Sequence, residues 1–238
     1  MKRKFNAEVT LLPPRIPYKE TVKGRAQVQG RHKKQTGGRG QFGDCWIEVE
    51  PLPRGGGFEF VDKIFGGSIP RNFIPSVEKG VRARLERGVI AGYPVVDIQV
   101  TLYDGSYHSV DSSDIAFQLA GSIAAEKGVL EARPCLLEPI MNVEVTVPSS
   151  IAGDVIGDLN SRRGKIAGME PGDDATLVRA QVPMAEMLNY EPHLRSMSGG
   201  RGSYSMEYSH YEELPCMLAE KVIAEARKER EAKAAEKH

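Results

Sequence analysis

Apolar and polar residues alternate in short runs through the first part of the chain. A weak alternation covers Phe5 to Leu12 and stops at Pro13, Pro14 and Pro17, because proline has no N–H to give to a strand ladder. Alternation resumes over Tyr18 to Gln29 and returns at Cys45 to Val49 and Phe58 to Val61, predicting three strands. The glycines and prolines of 51–57 predict a turn between the last two. The period then lengthens. Ile74, Val77, Val81 and Leu85 recur at helical spacing and Gly88 supplies a stop. Val95 to Leu102 reads as a β-branched strand. Asp111 to Ala125 reads as a second helix, with Ser112 or Ser113 as N-cap and Ile115, Leu119 and Ile123 as its apolar stripe.

Ala132 to Cys135 reads as a linker, after which the order changes. Strand 140–147, helix 151–160, strand 164–169, strand 175–183, a helix around 184–197 and strand 203–208 follow in turn. That β-α-β-β-α-β succession is the split βαβ, or ferredoxin-like, unit. Val143, Val145 and Val147 alternate with Glu144 and Thr146, as a half-buried sheet demands. Beyond Pro215 a helix runs into a charged tail rich in Ala, Glu and Lys. Strands with helices on one face, followed by a split βαβ unit, make the chain α+β with two domains.

Composition changes this picture in one place. The 238 residues carry 32 Lys and Arg against 32 Asp and Glu, so no global field draws the molecule to nucleic acid. Charge is nevertheless segregated: Lys23, Arg25, Arg31, Lys33, Lys34 and Arg39 occur with no acidic residue between them. Cys45, Cys135 and Cys216 are too widely spaced for a zinc site or a disulfide framework, which favours a reducing compartment. No apolar run approaches the ~20 residues of a membrane span, so a soluble, cytoplasmic protein is expected.

The cationic stretch ends in the glycine-rich loop Gly30 to Gly43. Glycine permits close backbone approach, Arg and Lys reach phosphate, and Gln35 and Gln41 each offer a donor and an acceptor. The loop reads either as an RNA contact or as a solvated hairpin tip. It lacks the G-x-x-x-x-G-K-[ST] order of a phosphate-binding P-loop, and so does Gly153 to Lys165, where Ile166 follows the lysine. A second polar loop, Tyr103 to Asp114, carries His108. It reads as a strand-to-helix turn, as an RNA-facing histidine, or as a hydrolytic site using His108 with Asp111 or Asp114. Arg162 and Arg163 follow a predicted helix, where cations suit its dipole, and Gly199 or Gly200 reads as a helix cap.

Several motifs then occur in fixed order: Lys33 with Gln35 to Gly43, Gly92 to Asp97, Gly105 to His108, Val110 to Ser113, Leu136 to Met141, Gly153 to Leu159 and Arg162 to Gly164. Together they closely resemble the C-terminal third of bacterial translation elongation factor G, over about 5–225. The resemblance implies residues 15–130 as the family's fourth domain, with a fold like the second domain of a small-subunit ribosomal protein. It implies 131–214 as the fifth, ferredoxin-like domain, 215–238 as a C-terminal helix and charged tail, and 1–14 as a remnant of the preceding domain with a linker.

It further implies a monomeric ribosome-binding protein, with no membrane partner. The tip of the fourth domain would contact the small subunit's decoding centre and the tRNA–mRNA duplex during translocation. Lys33, Lys34, Gln35, Thr36, Gly37, Gly38, Arg39 and His108 are the tip residues so implied. Arg162 and Arg163 become large-subunit rRNA contacts near the factor-binding centre. No catalytic, cofactor or metal residue is expected, because GTP and magnesium belong to the family's GTPase domain, which these motifs do not include. A naturally short paralogue that regulates or competes with the complete factor is the alternative. Ribosomal-protection proteins share the architecture but differ at the tip run Gln35 to Gly40.

Overall fold

The computed structural model describes residues 14–35 and 40–235. The weak strand read at 5–12 and the tip residues Thr36, Gly37, Gly38 and Arg39 lie outside them. The chain divides into two compact units, one formed by Tyr18–Leu137 with the segment from Tyr211 onward, the other built around Glu138–His210.

The first unit opens with β1 (Lys19–Val22), β2 (Ala26–Lys34), β3 (Gln41–Pro51) and β4 (Phe58–Asp62). Helix α1 (Ile74–Glu86), β5 (Ile98–Ser106) and α2 (Asp114–Glu131) follow. The strand expected over 18–29 is therefore two strands. A four-stranded sheet runs β2-β3-β5-β4, with β4 parallel to β5 and the other pairs antiparallel. Both helices contribute to its core, where Val28, Cys45, Ile47, Val49, Val77, Val81, Val100, Leu102 and Phe117 are buried.

Helix α2 corrects the expected stripe. Ile115 and Leu119 are 63% and 40% exposed, and the buried face is Ala116, Phe117, Ala120, Gly121, Ala124, Ala125, Gly128 and Val129. The physical reason is closeness. A Cβ on Gly30 of β2 would lie 2.2 Å from the Ala120 carbonyl oxygen, and one on Gly80 of α1 would lie 2.0 Å from that of Gln118. A helix pressed between a sheet and another helix at such range must present small residues to both, so its larger aliphatics face outward. Its N-cap is Ser113, whose hydroxyl accepts from the Ala116 N–H.

The expected linker is also structured. Strand β6 (Pro134–Pro148) begins there, and Pro134 and Cys135 pair with Val22 and Thr21 of β1. On the other side of β1 the Glu20 N–H donates to the Pro94 oxygen and the Val96 N–H to that of Glu20. The Glu20 side chain is fully buried and accepts five backbone N–H groups: Val89 and Ile90 on Oε2, Ala91, Gly92 and Tyr93 on Oε1, at 2.6–3.1 Å. Residues 89–93 thus wrap around one carboxylate.

The second unit continues β6 with α3 (Ala152–Ser161), β7 (Lys165–Pro171), β8 (Ala175–Pro183), α4 (Met184–Met187), α5 (Tyr190–Met197) and β9 (Ser203–Glu213). Its strands run β7-β8-β6-β9, the ferredoxin-like order. Val143, Val145 and Val147 are buried beside Val155, Leu159, Val178 and Tyr190, as the alternation predicts. Gly199 and Gly200, with φ of 58° and 80°, turn the chain out of α5, where the Gly200 N–H donates to the Arg195 oxygen. Helix α6 (Cys216–Ala235) then packs Leu218, Ala219, Val222, Ile223 and Ala226 beside Ala91, Leu136 and Leu214 in the first unit.

Candidate nucleic-acid interface

Strands β2 and β3 pair in register from Ala26↔Val49 to Lys34↔Gln41. Burial alternates along β2 from Ala26 to Gly30 and then fades, so the hairpin runs past the end of its core. At the last covered level Asp44, 7% exposed, ties three strands together: Oδ1 accepts from Gln29 Nε2 and Oδ2 from the Ser106 hydroxyl, both at 2.7 Å. Beyond it Lys33, Lys34 and Gln35 are exposed. Arg31 lies over the Phe42 ring at 5.5 Å, and His32 Nε2 is 2.9 Å from Gln41 Oε1.

The loop bearing His108 is fastened to this hairpin. Asp111 accepts the Gly40 N–H on Oδ1 (3.0 Å) and the Phe42 N–H on its carbonyl (2.9 Å). The Ser112 hydroxyl donates to the Phe42 oxygen (3.0 Å) and accepts the His108 N–H (2.9 Å). His108 Nδ1 receives the Val110 and Asp111 N–H groups at 3.4 and 3.3 Å and lies 3.4 Å from Asp111 Oδ2. The His108 side chain is 56% exposed, so the two polar loops present cations, an amide and an imidazole at one end of the unit. The Asp111 carboxylate and the Ser112 hydroxyl hold the loops together, and no nucleophile–base pair is assembled from them. Among the described residues no three His, Cys, Asp or Glu side chains converge as a metal site would require.

Arg162 and Arg163 sit in a different setting, at the end of α3 in the second unit. Arg163, with φ of 59°, makes a bidentate pair with Glu138 (2.6 and 2.9 Å) and reaches Glu186 at 3.1 Å. Glu138 is 3% exposed. Hydrogen bonding to Glu138 is the main cause that raises the Arg163 pKa above its ordinary value. Arg162 donates to Asp158 Oδ2 and the Glu186 carbonyl, each at 2.9 Å, and lies 5.2 Å from the centre of the Tyr190 ring.

With both regions described, comparison with known proteins assigns them. Residues 14–133 match the family model for elongation factor G, domain IV, and residues 135–222 the model for the elongation factor G C-terminus. The chain belongs to the elongation factor G family. It is 57% identical over 225 residues to elongation factor G of Aquifex pyrophilus, covering 94% of this chain and 32% of that protein. It is 54% identical over 230 residues to an elongation factor G-like protein of Thermotoga maritima, covering 96% of this chain and 34% of that protein. A crystal structure of a Thermus thermophilus protein superposes with a TM-score of 0.83 at 44% identity, covering 95% of this chain and 34% of that one. The chain therefore spans about a third of the length of the relatives it matches. The matched parts of elongation factor G are domain IV and the C-terminus, so this portion lacks the GTPase domain. No helix among the described residues is long and apolar enough to cross a membrane.

In elongation factor G terms, the basic hairpin was legible from composition and the His108 loop from its motif. Asp44, Asp111 and Ser112 were not read as the fasteners, because their partners lie 15 to 71 residues away in sequence. A carboxylate that serves distant backbone leaves no local pattern.

The C-terminal portion carries one pH-dependent element. Tyr190 is fully buried and its hydroxyl has no hydrogen-bond partner among the described residues. Burial, and secondarily the nearby Asp158 charge, push its pKa up to about 12. An unfolded tyrosine titrates near 10, so the folded state binds the proton more tightly. The stabilisation is fully present below about pH 10 and is lost as pH rises through 12, at about 1.4 kcal/mol per unit. Tyr190→Phe leaves no ionisation to resist. Thermal melts of the variant are expected to match the wild type at pH 7 and to fall less steeply between pH 10 and 12. Parallel alkaline limbs for the two proteins would remove Tyr190 as the cause.

Proposed function

We propose that this chain is the ribosome-binding part of a translocase-type elongation factor, working in the cytoplasm. Its domain IV tip engages the decoding centre of the small subunit and the tRNA–mRNA duplex. The observation that carries this reading is the fastening of the His108 loop to the basic hairpin through Asp111 and Ser112. It gathers Lys33, Lys34, Gln35 and His108 at one end, with Thr36, Gly37, Gly38 and Arg39 completing the loop between them in sequence. Cations there hold phosphates, while glutamine, imidazole and backbone groups meet 2′-hydroxyls and base edges. The C-terminal domain faces the large subunit's factor-binding centre in this proposal. Arg162 and Arg163 act there by fixing the shape of the turn after α3, since carboxylates already engage both guanidinium groups.

Binding of the chain to purified small subunits across a salt series tests the proposal. If the tip neutralises roughly four phosphates, log K falls with log salt at a slope of about −3, using ~0.7 per contact for single strands. Combined Lys33→Ala, Lys34→Ala and Arg39→Ala is expected to weaken binding and flatten that slope by about 2. Binding indifferent to salt, or a triple variant that binds as the wild type does, would sink it.

A further inference from the structure

Phe65 is 92% exposed, the most exposed large apolar side chain among the described residues. A lone apolar residue at a surface is ordinary, and three observations set this one apart. The first is its mounting. The Lys63 N–H donates to the Leu102 oxygen at 2.8 Å and the Ile64 N–H to Asp62 Oδ1 at 2.9 Å. Ile64 packs on the core and Ile69 is buried. Between these anchors Gly66 and Gly67 take φ of 69° and 75°, a tight turn that leaves the ring of Phe65 standing out on a fixed backbone.

The second observation is the charge in the same segment. Lys63 and Arg71 are both exposed, and no ion pair among the described residues engages either. The third is position. Phe73 stacks on Phe117 of α2 with ring centres 4.9 Å apart, and the Ser76 hydroxyl donates to Asp114 Oδ1 at 2.7 Å. A Cβ on Gly105 would meet Ile69 Cδ1 at 2.5 Å. The segment 63–73 therefore lies at the end of the unit that carries the His108 loop and the hairpin. It occupies the β4 edge of the sheet while the hairpin occupies the β2 edge, three strand spacings or about 14 Å away.

We propose that Phe65 is a base-stacking contact, its ring laid against an unpaired nucleobase of the RNA that the tip engages, with Lys63 and Arg71 on the flanking phosphates. The inference rests on the ribosome-binding reading above and widens the interface to a third loop. A phenyl ring has no polar atom with which to read a base edge, so the contact is indifferent to base identity.

The test is equilibrium binding of the chain to small ribosomal subunits for wild type, F65A, F65L and F65W. Stacking of a base on an aromatic ring corresponds to a loss of about 5- to 150-fold on truncation. F65A is expected to weaken binding within that range and leave the salt slope unchanged, because no phosphate contact is removed. F65W is expected to retain wild-type affinity, and F65L to behave like F65A. If F65A binds as wild type while the Lys33, Lys34 and Arg39 variant is weakened, the stacking contact is overturned and the ribosome-binding reading stands. If F65L binds as tightly as F65W, the site takes a general apolar partner and base stacking is again overturned. Wild-type chain that fails to bind small subunits at all overturns both.

Discussion

Glu20→Gln is expected to lower the unfolding free energy by about 3–5 kcal/mol, through a side chain that is fully buried. The change keeps the shape and removes only an oxygen and a charge. In the native protein Oε2 takes two N–H groups and Oε1 takes three. An amide nitrogen in either place turns donor against donor, so at least two buried N–H groups lose their acceptor, and hydrogen bonds to a charged acceptor are worth about 1.5–3 kcal/mol each. Against a typical total of about 5–15 kcal/mol this is a large fraction. Urea unfolding should show a lower midpoint at an unchanged slope. Amide exchange at Val89 to Tyr93 should accelerate before that of the β3 core. A midpoint within experimental scatter of the wild type would mean that the loop does not depend on the carboxylate.

Arg163→Ala is expected to cost about 3–5 kcal/mol in the ferredoxin-like unit, because it strands the buried Glu138 carboxylate without its bidentate partner. The mechanism makes a specific demand. Removing the charge as well, in Arg163→Ala with Glu138→Gln, should recover part of the loss, so the double variant is more stable than the single. Arg163→Lys should restore less than arginine does, since one ammonium cannot serve both Glu138 oxygens and Glu186 in the same geometry. Calorimetry of these proteins together with the Glu138→Gln single variant would decide. Losses that simply add would show that Glu138 and Arg163 act independently. Under the proposed ribosome-binding function, loss of Arg163 should reach binding only as far as it reaches stability.

How much of this was legible in the sequence depends on whether the cause was local. The ferredoxin-like unit was readable strand by strand, because Val143, Val145 and Val147 face a core while Glu144 and Thr146 face water, and that alternation is written in neighbouring residues. Helix α2 misled for an equally physical reason. Periodicity scores bulk, and apart from Phe117 and Val129 its buried face is alanine and glycine, because a sheet and a helix approach it closely. The supposed linker at 132–135 pairs with residues more than a hundred positions earlier, which no window of local sequence contains. In the hairpin the charged and glycine-rich residues announced themselves by composition. The acids that hold them in place, Asp44 and Asp111, resembled ordinary turn residues.

The return of the chain to its first unit at Tyr211 governs how the molecule can be made. Residues 18–137 emerge before the Glu138–His210 unit during synthesis, but the apolar ground formed by Ala91 and Leu136 stays uncovered until Leu214, Leu218 and Val222 arrive. The nascent first unit must wait, partly finished, while the whole Glu138–His210 unit is produced and has time to fold. The end that carries the basic hairpin and the His108 loop can assemble early, and closure around Ala91 and Leu136 follows the Glu138–His210 unit.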